Sequence, residues 1–283
     1  MPSITEMTVA QLARLIGLPE SPTIIDVRID DDYQLDTRRI PSSIRRSHKN
    51  VSQWSAEYRQ KKLIISCQRG EKLSQGVAAL LRSEGIDAST LEGGHEAWVA
   101  ANALLLTPHK LPSLDASGKT LWVTRARPKV DRIACPWLIR RFIDKEAVFL
   151  FVSPSEVLGV AERFNATPFD IDGVFWSHRG DTDSMTCTFD TMLTEFGLSS
   201  PALNRFATII RGADTARLDL APQCEGFLAA SLGLSRMYRD DIEQLNAGIA
   251  LYDAFYRWAR DAVDETHNWP ATGKTIQGKV ANE

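Results

Sequence analysis

The chain has 283 residues, 43% of them hydrophobic and 24% charged, with a net charge of -3 and a pI near 6.0. That is comfortable for two domains with sizeable cores, and the mild acidity speaks against a general attraction to nucleic acid or to an anionic membrane. No apolar run approaches bilayer length, the stretch 147–152 being only strand-sized, and the first residues carry Glu6 with no basic-then-apolar signal region, so neither a membrane span nor secretion is predicted.

Taken in order, 8–16 reads as a helix: Thr8 with Gln11 three residues on forms a capping box, and Gly17 is a natural stop. A strand at 23–27 leads into a polar stretch that runs to Asn50, and 52–60 reads as a short helix. The apolar run 63–66 is a buried strand. Cys67, Gln68, Arg69, Gly70, Glu71 and Lys72 follow as a loop, then a helix at 74–81 with Ser74 suited to capping. A strand at 86–91, a turn at Gly93 and Gly94, and a helix carrying Trp98 complete the pattern. Strand–helix alternation of this kind implies a parallel sheet covered on both faces, with ligands bound beyond the carboxyl ends of the strands, where Cys67 falls.

Cys67 is the first candidate for chemistry. A thiol between a strand end and a helix N-terminus lies where backbone N–H groups and the helix dipole favour negative charge, and Arg69 and Lys72 add cations beside it. A buried packing cysteine is the ordinary alternative, but packing has no need of Gly70 or of two flanking cations. The four cysteines (Cys67, Cys135, Cys187 and Cys224) contain no C-x-x-C pair, which argues against a disulfide framework or a structural zinc site. A reducing cytoplasm suits them.

The segment 24–28 (Ile-Ile-Asp-Val-Arg), the loop from Cys67 to Lys72, and 91–98 (Leu-Glu-Gly-Gly-His-Glu-Ala-Trp) resemble three landmarks of the rhodanese-like family, in order over the first hundred residues. The resemblance implies a sulfurtransferase: Cys67 is the catalytic cysteine and carries a persulfide, and the amides of 68–72 surround its sulfur. It needs a sulfur donor such as thiosulfate and a thiol acceptor, and no cofactor. Lys72-Leu73 stands where the family often has arginine-serine. Leu73 cannot make bidentate contacts to an oxyanion, which speaks against phosphatase or arsenate-reductase chemistry on the same fold.

Residues 109–118 hold Pro112 with Ser, Asp and Gly and no apolar period, and read as a linker between a domain at 1–108 and one at 119–283. The second domain is expected to be α+β and rich in helix. It opens with a strand at 120–124, and Pro136 suits the first turn of a helix running to 144. From 119 to 150 there are eight Lys/Arg against three Asp/Glu. Arg125, Arg127 and Arg132, ahead of that helix, are the candidate anion site, with a solvated face as the alternative. Cys135 is read as a buried thiol or as a second low-pKa one. Strands follow at 147–152 and 174–177, the latter ending in His178, and Cys187 opens a helix to Gly197. The stretch 211–219 reads as a polar segment. Asp240 with Glu243 caps the longest helix, whose apolar stripe is Ile242, Leu245, Ile249, Tyr252, Tyr256, Ala259 and Val263. Its acids are a solvated face or meet the basic stretch 125–141, and 267–270 ends it.

From 119 to 269 the chain resembles the C-terminal domain of chromate-resistance ChrB proteins. The motifs are 122–125 with 129–132, 135–143, 177–181, 211–214 and 264–269, with 182–185 as an insertion. This implies a link to chromate and the oxidative stress response. The alternative to an enzyme is therefore a sensor or regulator of chromate, a metal or redox state, to which the rhodanese-like domain is accessory. His178 with Asp214 is the candidate metal pair. No helix-turn-helix signature supports direct DNA binding.

Overall fold

The structure is a computed structural model that describes residues 5–115, 118–181 and 184–265. The first half runs β1 (Glu6–Met7), α1 (Val9–Ala13), β2 (Thr23–Asp26), α2 (Asp30–Leu35), β3 (Ile44–Arg45), α3 (Val51–Trp54), β4 (Leu63–Ser66), α4 (Lys72–Ser83), β5 (Ala88–Leu91) and α5 (Gly94–Ala100). The second runs β6 (Leu121–Arg125), α6 (Val130–Leu138), β7 (Val148–Val152), α7 (Val157–Phe164), β8 (Thr167–Pro168), α8 (Thr188–Phe196), α9 (Pro201–Asp214), α10 (Cys224–Met237) and α11 (Asp241–Asp261).

The first sheet has the order β1-β5-β4-β2-β3, every neighbouring pair parallel. β4 is central and covered on both faces, which is why Leu63, Ile64 and Ile65 are an unbroken apolar run with no exposure. A smaller parallel sheet, β7-β6-β8, begins the second half, and helices α8 to α11 follow. The fold is thus mixed α/β: a parallel-sheet region followed by a helix-rich one. The two halves share a core in which Leu12, Ile16 and Trp98 join Trp137, Phe142 and Tyr256. Hydrogen bonds also cross between them: Ser42 N–H donates to the Phe142 carbonyl (2.6 Å) and Thr107 N–H to that of Phe196 (2.8 Å).

Local chemistry explains the helix ends. Thr8 Oγ1 accepts from Gln11 N–H at 3.1 Å and Gln11 Oε1 accepts from Thr8 N–H at 2.9 Å, the reciprocal box expected there. Cys187 is the N-cap of α8, and Gly197, in the left-handed region, ends it. Asp240 Oδ1 accepts from the amides of Ile242 and Glu243.

Five expectations change. Helix α4 starts at Lys72, two residues early, so Ser74 is not its cap. Helix α6 starts at Val130, leaving Pro136 in its interior, and a wide π-type turn follows at Ile139–Ile143. Proline removes a helix hydrogen bond there, yet every residue of α6 except Arg132 is buried, and that burial outweighs the local penalty. Residues 174–177 form only an isolated bridge, Trp176 with Phe169. Residues 211–214 are the last turn of α9; Gly212 is there because Cys224 packs against it, leaving no room for a Cβ. The polar stretch to Asn50 contains α2 and β3. Residues 267–270, Ala116 and Ser117 of the expected linker, and Thr182 and Asp183 of the insertion lie outside the described residues.

Candidate functional site

Cys67 follows the carboxyl end of the central strand. Its carbonyl accepts from the His95 amide at 2.9 Å, and the Gln68 carbonyl accepts from the Glu96 amide at 3.0 Å. The first turn of α5 thereby finds acceptors for two of its unpaired donors. Peptides are planar and trans, so the N–H groups of Gln68 and Arg69 point away from α5. This close approach needs glycine on both sides. Gly70 (φ 72°) would place a Cβ 2.7 Å from the Leu91 carbonyl, and a Cβ on Gly94 (φ 59°) would collide with the Cys67 carbonyl.

The thiol is 4% exposed and forms part of the wall of an open cavity of 340 Å³. Its Sγ lies 3.2 Å from Ser74 Oγ, which also donates to the Glu71 carbonyl at 3.1 Å. Ser74, taken from the sequence for a helix cap, is instead fully buried beneath the thiol. The cations expected beside Cys67 line the cavity, but acids answer them: Asp32, Glu71 and Glu96 stand with Arg69 and Lys72. Arg69 Nε and Gln68 Nε2 approach Glu96 Oε1 at 3.4 and 3.2 Å. Asp32 comes from α2, a helix invisible in the sequence. All the lining residues belong to the first half, so the basic stretch 125–141 does not reach this cavity.

A second polar cluster is built from four separate segments. Asp131 stands in the first turn of α6, Asp170 just after β8, His178 in the following loop, and Asp214 at the end of α9. His178 Nε2 lies 3.1 Å from Asp214 Oδ2, 3.3 Å from Asp170 Oδ1 and 3.5 Å from Asp131 Oδ2. The fold thus unites the predicted pair and adds two carboxylates. Asp131 belongs to the motif 129–132 already noted; Asp170 carried no signal in the sequence. Atoms of Asp131, Asp170 and His178 suited to metal ligation lie within 4.8 Å of one another. The three carboxylates push His178 up to about 12, and burial, with Asp214 beside it, pushes Asp131 up to about 7.

The three arginines expected to receive an anion are engaged by the protein itself. Arg125 Nη2 and Arg132 Nε each lie 3.3 Å from Asp170 Oδ2. Arg127 donates to the backbone carbonyls of Ser235, Tyr238 and Arg239, and its amide to Asp241. Acids of α11 do meet the basic stretch: Asp253 accepts from Arg141 at 2.6 and 2.7 Å and from Trp137 Nε1 at 2.8 Å. Burial pushes the Cys135 and Cys187 thiols well above the usual range, so neither is a second activated thiol.

A family model described as the Rhodanese-like domain matches residues 8–101. Residues 122–259 match a second, described as the C-terminal domain of ChrB. The chain is therefore a rhodanese-like domain followed by a ChrB-type C-terminal domain. It is 36% identical over 142 residues to Protein ChrB of Cupriavidus metallidurans, covering 48% of this chain and 39% of that protein. The alignment spans well under half the length of that relative. Among solved structures, a rhodanese-like domain protein from Staphylococcus aureus is 27% identical, covering 34% of this chain and 91% of that one with a TM-score of 0.30. A thiosulfate sulfurtransferase from Pseudomonas aeruginosa is 22% identical, covering 37% of this chain and 19% of that one, TM-score 0.32. No helix among the described residues is long and apolar enough to cross a membrane.

Proposed function

We propose that the first domain is a sulfurtransferase that carries sulfur as a persulfide on Cys67, within a chromate-resistance-related protein of the cytoplasm. The observation that carries this reading is the placement of Cys67: a thiol at the end of the central strand, bordering an open cavity, on a loop whose carbonyls are tied back to α5. The Cys67 thiolate attacks the terminal sulfur of a donor. A bond forms between the two sulfurs, and the donor's sulfur–sulfur bond breaks, releasing sulfite from thiosulfate or a thiolate from a persulfide. An acceptor thiolate then attacks the outer sulfur and restores the Cys67 thiolate. The three acids lining the cavity outnumber its two cations and disfavour a dianion, so a low-molecular-weight thiol persulfide is the better donor and thiosulfate the weaker one.

The test is intact-protein mass after exposure to either donor. A gain of one sulfur atom that disappears in Cys67→Ser is expected. The same gain in that variant would overturn the assignment. The ChrB-type half supports a second reading, a chromate-responsive regulator in which Cys67 is accessory; the Asp–His cluster 131/170/178/214 favours it. Under that reading, cells complemented with Cys67→Ser keep full chromate tolerance, whereas loss of tolerance favours the enzyme.

A further inference from the structure

The cluster in the second half is over-supplied with acceptors. One imidazole Nε2 faces three carboxylates at 3.1, 3.3 and 3.5 Å, yet a ring nitrogen carries at most one hydrogen and can aim it at one oxygen. Charged hydrogen bonds of good geometry are also shorter, about 2.7–2.9 Å. The separations match something else. Nitrogen and oxygen ligands about 2.1 Å from a common tetrahedral centre lie about 3.4 Å from one another.

An independent observation points the same way. Asp131 is 1% exposed, and its Oδ1 is a buried atom with no hydrogen-bond partner. A buried carboxylate oxygen left without a donor is costly and calls for a cation. Oδ2, the oxygen that faces His178, also accepts from the amides of Thr188 (2.5 Å) and Phe189 (3.3 Å) at the start of α8, so the carboxylate is held in place with one oxygen left over. Asp170 is likewise held, by Thr188 Oγ1 at 3.0 Å and by Arg125 and Arg132. These are the outer contacts that orient metal-ligating carboxylates. Among the described residues, no arginine or lysine pairs with Asp131 or Asp214; His178 is the side chain that ion-pairs with them, beside backbone amides of Thr188, Phe189 and Asp131. The 35% exposure of His178 leaves an entry from solvent.

We infer that Asp131, Asp170 and His178, whose ligand atoms gather within 4.8 Å, form a binding site for one divalent first-row transition-metal ion, with Asp214 beside the imidazole. Carboxylates with one imidazole suit Mn²⁺, Fe²⁺ or Zn²⁺; the imidazole disfavours Mg²⁺ and Ca²⁺, and the lack of a thiolate donor disfavours Cu⁺. The site is independent of the sulfur-transfer reading, since none of its residues lines the Cys67 cavity.

The experiment uses the full chain, stripped with a chelator and dialysed against Mn²⁺ or Zn²⁺, with bound metal counted by elemental analysis and unfolding followed by heating. One ion per chain and a melting midpoint that rises with metal concentration are expected. Equal Mg²⁺ leaves the midpoint unchanged. His178→Gln, at the exposed edge of the cluster, and Asp214→Asn each weaken binding by about tenfold or more, with circular dichroism confirming that they fold; Cys67→Ser binds as the wild type does. Wild-type protein retaining no stoichiometric metal overturns the inference, and so does unchanged affinity in folded His178→Gln, which would place any ion elsewhere.

Discussion

The two polar centres of this chain are made in opposite ways. Around Cys67 the main chain does most of the work: contiguous residues 67–71, two glycines with positive φ, and carbonyls tied to the first amides of α5. The Asp–His cluster is made of side chains that converge from α6, the segment after β8, a loop and the end of α9, across more than eighty positions of sequence. A main-chain cradle is written in one short stretch. A convergent cluster exists only once the helices have packed, so its integrity reports on the core beneath it.

The largest effect expected from this contrast is at Gly94. A methyl group there collides with the Cys67 carbonyl, and φ 59° disfavours any side chain. Gly94→Ala should abolish persulfide formation as fully as Cys67→Ser and cost about 2–4 kcal/mol of stability, read from denaturant unfolding and intact mass. Normal sulfur loading in this variant would break the comparison, because the main-chain geometry would then not matter.

Next comes Asp253, which answers Arg141 and Trp137 from α11. With both ion-pair partners under a fifth exposed, Asp253→Ala should cost about 2–3 kcal/mol by stranding the guanidinium and the indole N–H. The cluster between α6 and α9 should loosen with it, while the chemistry of Cys67, referred to the folded fraction, stays unchanged. An equal loss at both centres would mean that the halves respond as one body.

Lys145 tests the seam between them. Its ammonium donates to the carbonyls of Ser21 and Pro22, both at 2.7 Å, and burial lowers it from 10.5 to about 8. Between those two values the unfolded chain holds a proton that the folded chain has released, so folding stability from this group rises with pH from about 8 to 10.5. The rise should be on the order of 1–2 kcal/mol after allowing for partial solvent contact. It should vanish in Lys145→Met, as unfolding measured across that range will report.

What could be read beforehand follows the same division. The cap at Thr8, the central strand, the cap at Cys187 and the stripe of α11 depend on neighbours a few positions apart, and all are present; only Ile242 and Val263, near the ends of the stripe, are exposed, at 42% and 37%. Helix α2 escaped notice because it buries none of its six residues, and its first turn is three aspartates. Arg125 and Arg132 looked available to an anion because their partner, Asp170, lies 38 or more positions away. Ser74 departs from its expected capping role for a simpler reason. A serine near a helix start suggests a cap, and only the three-dimensional start at Lys72 turns it toward the thiol.

Ser74 supplies the smallest and most selective test. It is the side chain that hydrogen-bonds Cys67 Sγ among the described residues, while its hydroxyl also donates to Glu71. A hydroxyl that can turn its hydrogen toward the sulfur stabilises the thiolate as it forms, an interaction worth about 1–1.5 kcal/mol. Ser74→Ala should therefore slow persulfide formation by roughly tenfold, with a stability loss of about 1 kcal/mol or less. Ser74→Cys keeps a weak donor and should fall between. If Ser74→Ala instead matched the total loss expected of Gly94→Ala, this centre too would depend on a converging side chain, and the contrast with the Asp–His cluster would dissolve.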